Sequence, residues 1–362
     1  MPMNRRERMK RCYFHEEIDR PAVYSRTGFP GNDPTYDRLR AYLQAHAELK
    51  VAWGASRFVE PEPQSATTEP YSEDFERRVV LLQAPKSTLR ATRLVSLKGQ
   101  PGLDETHFIK SREDAQAYLS LPRPPVGGDT SSFQNAGAEV GDRGIVDIKL
   151  GLNPAGQVAD LMGSETLAMM SVTDRDVVHE LCRRRMEIQL ELLKFLLLRG
   201  LGPFFSMEGE EYLVPPLHGP ADFNDFNARY DKPIIDLVHD AGGRMHIHCH
   251  GSVKKVIGSF VEMGCDVLHP FEAPPQGDIT PAEAKAAARG RMTLEGNIQI
   301  HRLYEATPDA VRHETTALIP QLFDDHRGLI VCPTASPYIR GAGEKCFPMY
   351  KAMIDTVVNW RS

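Results

Sequence analysis

No stretch of the chain offers the roughly 18–20 uninterrupted apolar residues that a membrane-spanning helix needs. The longest candidate, Leu192 to Leu198, is interrupted by Lys194 and stops at Arg199 and Gly200, so it reads as the end of a buried helix. A basic run is also missing. With a net charge of −6 and nothing to offset it locally, the composition argues against a nucleic-acid binder. Paired cysteine spacing is absent: Cys12, Cys182, Cys249, Cys265, Cys332 and Cys346 stand apart, which predicts free thiols and a reducing, cytoplasmic setting. The first residues, Met1 to Arg8, lead into more charge and not into an apolar core, so no secretory signal is expected. What remains is ordinary globular usage, 41% hydrophobic and 25% charged over 362 residues, enough for a large core in one barrel or two domains.

The most informative stretch is residues 242–251, Gly-Gly-Arg-Met-His-Ile-His-Cys-His-Gly. From Met245 it alternates strictly, with His246, His248 and His250 on one face and Ile247 and Cys249 on the other. Period-2 alternation predicts a β-strand. Gly251 breaks it, and Val253, Val256, Ile257, Phe260 and Val261 then follow helical spacing. The imidazoles therefore stand where a strand hands over to a helix, which is where ligands sit in open α/β sheets and (β/α) barrels.

The rest of the chain has the same rhythm. Residues 4–18 read as an amphipathic helix, followed by a short strand at Ala22 to Tyr24 and a helix over Tyr36 to Leu49. Two β-rich runs, Arg78 to Leu82 and Thr92 to Ser96, suggest a hairpin excursion with a turn at Pro85. Residues 52–75 and 122–141 read as loops over the mouth. Strands are expected at Ile145 to Leu150, Phe204 to Met207, Cys265 to His269, Arg291 to Leu294 and Leu329 to Cys332. Between them come helices: one starting at Val158, a long one from Asp174 to Leu198 capped by Thr173 or Asp174, and one over Pro220 to Ala241 broken near Pro233. Another opens at Thr280 with a capping box to Glu283. Strands each followed by a helix predict parallel pairing and a (β/α)8 barrel with an N-terminal helical extension.

In such a barrel the strand ends would gather Glu208, Glu210, Glu211, His248, His250, His269, Glu272, Glu295, Asn297, Cys332 and Thr334 at one mouth. His-x-His on one strand face can place two imidazoles on one metal, with a carboxylate and a thiolate as further zinc ligands. A single strand histidine is about as often a hydrogen-bonded structural residue. His246, deeper in the strand, is expected to be structural, and Cys249, Cys265 and Cys346 to be packing residues.

The run His248-Cys-His-Gly-Ser-Val253, with His269-Pro270, Arg291 to Asn297 and the Cys332 to Pro337 turn, resembles the uroporphyrinogen decarboxylase-like superfamily. The opening from Asn4 to Val23 is also similar. The resemblance is good over 141–362 and weak over 25–140, and it implies one (β/α) barrel domain over 1–362. The superfamily holds tetrapyrrole decarboxylases and zinc-dependent methyltransferases that work with corrinoid proteins and thiols. The methyltransferase branch binds zinc on His-x-Cys-Gly and a later cysteine. Here His248 matches the histidine, His250 stands at the cysteine position, and Ala335 takes the later one, three residues past Cys332. The resemblance thus implies zinc or another divalent metal on His248, His250, Glu210 and Cys332. Glu210 would also serve as base, with His269 and Glu295 as proton-transfer groups. Of the decarboxylase branch's carboxylate-gripping motif only Arg26 and a glycine remain, in Tyr24-Ser-Arg-Thr-Gly28. Arg26, Asn297 and Tyr338 are the expected substrate contacts. The leading expectation is a metal-dependent methyltransferase or demethylase that moves a methyl group between a small substrate and a corrinoid or thiol acceptor, as a monomer or homodimer. A metal-free decarboxylase and a non-catalytic corrinoid- or tetrapyrrole-binding barrel are the alternatives.

Overall fold

The structure, a computed structural model, describes residues 3–99 and 101–361. Twelve strands occur in chain order among them: β1 (Ala22–Val23), β2 (Leu49–Gly54), β3 (Gln64–Pro70), β4 (Phe75–Ala84), β5 (Ser87–Ser96), β6 (Leu103–Thr106), β7 (Gly144–Leu152), β8 (Phe204–Glu208), β9 (Arg244–His248), β10 (Val267–His269), β11 (Thr293–Ile298) and β12 (Leu329–Pro333). Eight of these form one sheet in the order β1-β12-β11-β10-β9-β8-β7-β2, every pairing parallel. The end strands meet through Glu48. Its amide donates to the Val23 carbonyl at 2.9 Å, and its carboxylate accepts from the Val23 amide at 2.7 Å. The sheet therefore curls into the expected (β/α)8 barrel.

The helix Arg5–Tyr13, capped by Asn4, lies against this closure, shorter than the 4–18 expected. Its Arg8 reaches the Glu48 carboxylate at 2.7 Å, and Arg20 adds a second bond at 2.9 Å. Two guanidiniums on one fully buried carboxylate supply the charge compensation that burial demands.

Between β2 and β7 the chain leaves the barrel and builds an antiparallel sheet, β3-β4-β5-β6. The expected hairpin is its centre, with Ala84 opposite Ser87 across a two-residue turn at Pro85. β3 corrects the loop expected there: all seven of its residues are exposed, so no hydrophobic alternation marks it. The second expected loop holds the helix Ser132–Val140, which packs beside β2 and β7. β2 itself begins at Leu49, where a helix was expected to end; that helix is Asp37–His46.

Farther on, Pro154–Thr173 is helical, capped by Asn153 and kinked at Gly163, where φ is +75°. Arg175–Leu197 follows, but the Asp174 side chain makes no cap bond and is held by Arg112 instead. The break expected near Pro233 falls earlier, in a wide π turn over Phe223–Ala228. The helix Arg229–Asp240 runs through the proline. The Thr280–Glu283 capping box is present as expected. All six cysteines are unpaired and buried, and among the described residues no helix is long and apolar enough to cross a membrane.

Candidate functional site

Alternation along the barrel strands sets which residues face inward. Lys50 comes from β2, Asp147 and Lys149 from β7, Ser206 and Glu208 from β8, His246 and His248 from β9, and Glu295 from β11. Together with Tyr24 and Arg26 they line a cavity of about 280 Å³ at the mouth.

Two of its lining residues, Lys50 and Glu295, form a buried ion pair. The Lys50 ammonium also lies 4.5 Å from the Tyr24 ring centroid. Burial works against ionisation of Glu295, but Lys50 and then His246 hold its carboxyl well below the usual range. Above this pair three imidazoles stack: His246 on His269 at 6.2 Å between centroids, and His269 on His248 at 5.0 Å.

The protons can be placed from partners that have only one role. The Pro333 carbonyl can only accept, so His269 Nε2, 3.0 Å away, carries the hydrogen and Nδ1 offers its lone pair. The Arg26 guanidinium can only donate, at 2.8 Å to His248 Nδ1 and 3.3 Å to His269 Nδ1. The two Nδ1 atoms are 2.9 Å apart. Two lone pairs thus converge on one cationic donor. Burial, reinforced by His269 and Arg26, pushes His248 below the ordinary imidazole range; at His269 burial, helped by Arg26 and His246, outweighs Glu295. Neutral imidazole is the form that ligates metals.

Among the described residues one group of three metal-ligand side chains comes together, His269, Glu295 and Cys332, with donor atoms all within 4.8 Å of one another and all three buried. Burial and Glu295 push the Cys332 thiol up, against Lys50 and Arg26.

This differs from the ligand set expected from the resemblance. His248 lines the mouth cavity and Cys332 is buried within 4.8 Å of His269 and Glu295, but His250 is turned aside. β9 ends at His248, so alternation no longer governs residue 250; its Nδ1 lies 3.1 Å from Glu272 and its side chain is 38% exposed. Glu210 is not at the mouth. Gly209 (φ +113°) turns the chain into a short 3-10 helix that buries Glu210 near Asp231, beside Asn153 and Asn227. Neither of its carboxyl oxygens has a partner among the described residues. Asn297 donates to the Phe271 carbonyl at 2.6 Å and lines a different cavity, with Pro274 and Arg302. Tyr338 is 61% exposed and lines neither cavity. Arg26, His248, His269, Glu295 and Cys332 are therefore brought together; His250, Glu210, Asn297 and Tyr338 are not.

Lys50, Asp147 and Lys149 were missed by sequence reasoning, and His246, taken as structural, lines the cavity. Lys50 and Asp147 each sit inside a short apolar run, and a charge facing inward from such a run is the available signal.

A barrel with polar strand ends gathered at one mouth defines a (β/α)8 enzyme of divergent sequence. The uroporphyrinogen decarboxylase (URO-D) family model matches residues 154–336, half of the chain, and the chain belongs to that family. Arg26, Lys50 and Asp147 lie outside the matched segment. No curated protein matches the chain. Similar solved structures include a D-psicose 3-epimerase in the presence of D-fructose, 11% identical, covering 63% of this chain and 82% of that one, with a TM-score of 0.36. The apo form of the 3-keto-D-glucoside 4-epimerase from E. coli is 12% identical over 62% and 92%, TM-score 0.36. A Bacteroidetes-affiliated GH5 cellulase is 11% identical over 70% and 77%, TM-score 0.38.

Proposed function

We propose that this chain is a metal-dependent methyltransferase or demethylase acting on a small substrate, with a corrinoid protein or a thiol as methyl acceptor. The observation that carries the reading is the convergence of His269, Glu295 and Cys332, three different zinc-type donors, within 4.8 Å. The donor set fits a divalent metal: the imidazoles are neutral, Glu295 is ionised, and Cys332 is a thiol that gives up its proton on ligation. His248, whose Nδ1 lies beside that of His269, supplies a fourth donor. When bound, such a metal would supply Lewis-acid polarisation of the substrate or of the methyl acceptor.

The chain's own residues do the rest. Arg26, which donates to both imidazoles, would be free to hold an anionic group of the substrate if those lone pairs ligated a metal. As the carbon–heteroatom bond breaks, the methyl carbon bonds to the acceptor's sulfur or cobalt, the heteroatom keeps the bonding electron pair, and the proton it takes comes from the acceptor thiol or from solvent. Neutral His246, whose buried ring nitrogens make no hydrogen bond among the described residues and whose Nε2 lies 3.6 Å from Glu295, is placed on the cavity wall to relay that proton. The cavity, about 280 Å³, falls below the roughly 300–1,000 Å³ of sites for drug-sized ligands, which favours a small substrate over a tetrapyrrole.

A second reading, metal-free decarboxylation of a small acid, is favoured by one observation: Arg26, Lys50 and Lys149 all line the cavity and suit a carboxylate. Chelation separates the two. Methyl transfer from small N- or O-methyl compounds to cob(I)alamin or a thiol should vanish with chelator and return with zinc. Carbon dioxide release from a small acid, indifferent to chelator, would replace the first reading with the second.

A further inference from the structure

Internal pairing neutralises most of the charge at the mouth. Glu295 takes Lys50, and Lys149 leans on Glu208 at 3.9 Å. Two charged groups are left over. Asp147 is 6% exposed, yet among the described residues its carboxylate has no hydrogen bond or ion pair, and Oδ1 is shut off from solvent. A buried carboxylate without a partner is costly, by several kcal/mol. The barrel nevertheless keeps this one on the wall of a cavity that Ser206 and His246 also line. The other leftover is Arg26. Its guanidinium meets only imidazole nitrogens, and no carboxylate lies within 4.0 Å of it among the described residues.

The unpaired charges are thus one negative and one positive on the wall of the same small cavity. The ligand that complements both carries both signs itself. A plain carboxylate would leave Asp147 unsatisfied and set a second anion near it. A plain amine would leave Arg26 without a counter-ion. We propose that the mouth binds a small zwitterion, an N-methylated amino acid, with its carboxylate on Arg26 and its protonated nitrogen on Asp147. The N-methyl part rests on the methyl-transfer reading above; the zwitterion part rests on the charge arrangement alone. Asp147 is then the residue that sets specificity for the cationic nitrogen.

The test is calorimetric binding to the purified protein of two probes of equal shape, N,N-dimethylglycine and 3-methylbutanoate, which differ in that a carbon replaces the charged nitrogen. Dimethylglycine should bind at least about tenfold tighter. Asp147→Asn should erase that preference, weakening dimethylglycine while 3-methylbutanoate binds as well as before or tighter. Equal or tighter binding of 3-methylbutanoate would overturn the proposal, as would binding of neither probe at roughly 10 mM. A preference that survives in Asp147→Asn would overturn it too. If that variant fails to fold, Asp147→Ser serves instead, and the wild-type comparison decides in any case. Because binding is read without turnover, a protein that takes up no metal on reconstitution yet prefers dimethylglycine would sink the methyl-transfer reading and leave the zwitterion part standing. A metal-loaded protein with no preference would do the reverse.

Discussion

Glu295 in the barrel mouth and Glu210 behind it are both shut away from solvent, 1% and 0% exposed, but one is ionised and the other neutral. Glu295 faces Lys50 and His246, and their attraction outweighs the desolvation penalty. Glu210 faces Asp231. Burial first, and then that second carboxyl, drive its pKa well above the usual range. Asp231 is pushed up to about 8 by burial, against the Asn153 amide that bonds it. Two carboxyls in one dry pocket cannot both ionise, so this pair keeps a proton. Depth alone therefore says nothing about whether a buried acid can serve as an anionic ligand; its neighbours decide. The mouth presents an ionised carboxylate, and the pocket behind it presents a neutral one.

Substitutions at the two glutamates should separate sharply. Glu295→Ala strands the Lys50 ammonium in the barrel interior, and urea unfolding should show a loss of about 3–5 kcal/mol. A loss below about 1 kcal/mol would mean that the pair is not formed. Asn153→Ala should cost less, about 2 kcal/mol. It removes a helix cap, the 2.7 Å bond to the Gly156 amide, together with the amide bonds to Asn227 and Asp231.

The pH dependence carries both signs. The pKa values of His248 and His269 are lowered in the fold, so below about pH 6.5 the unfolded chain binds protons that the folded chain refuses. Stability should fall as pH drops through that value, by up to about 1.4 kcal/mol per pH unit for each imidazole. The Asp231 shift runs the other way. Its raised pKa contributes stability that is present below the unfolded value and is lost as pH rises from about 4 toward 8. Urea midpoints from pH 5 to 8.5 should therefore pass through a maximum. Glu210→Gln has the smallest expected effect, under about 1 kcal/mol at pH 7, because it replaces an already neutral group. It should also flatten the alkaline side of the profile. A large destabilisation by Glu210→Gln would show that Glu210 is ionised.

These contrasts also mark how far the sequence could be read. The alternation of His246 and His248 with Ile247 identified β9, and the strand–helix rhythm from residue 144 on identified the barrel, because apolar periodicity is a local property. β2 was hidden by Lys50, a charge pointing into the barrel from a short strand, and β3 by having no buried face at all. The site was half legible. Residues on strands, His248, Glu295 and Cys332, arrive where alternation sends them. Glu210 and His250 lie just past strand ends, where the Gly209 turn and the end of β9 redirect them, and no periodicity extends into a turn. That Asp147 and Arg26 remain unpaired is a fact of three-dimensional pairing that no single stretch contains.

The central claim is that the mouth holds a metal on His269, Glu295 and Cys332. It is tested most directly by the metal content of the purified, zinc-reconstituted protein beside His269→Ala and Cys332→Ser variants, each checked for folding. The account predicts about one ion per chain in the wild type and close to none in either variant, with His250→Ala keeping its metal. No metal in the wild type, or loss in His250→Ala with retention in Cys332→Ser, would contradict it.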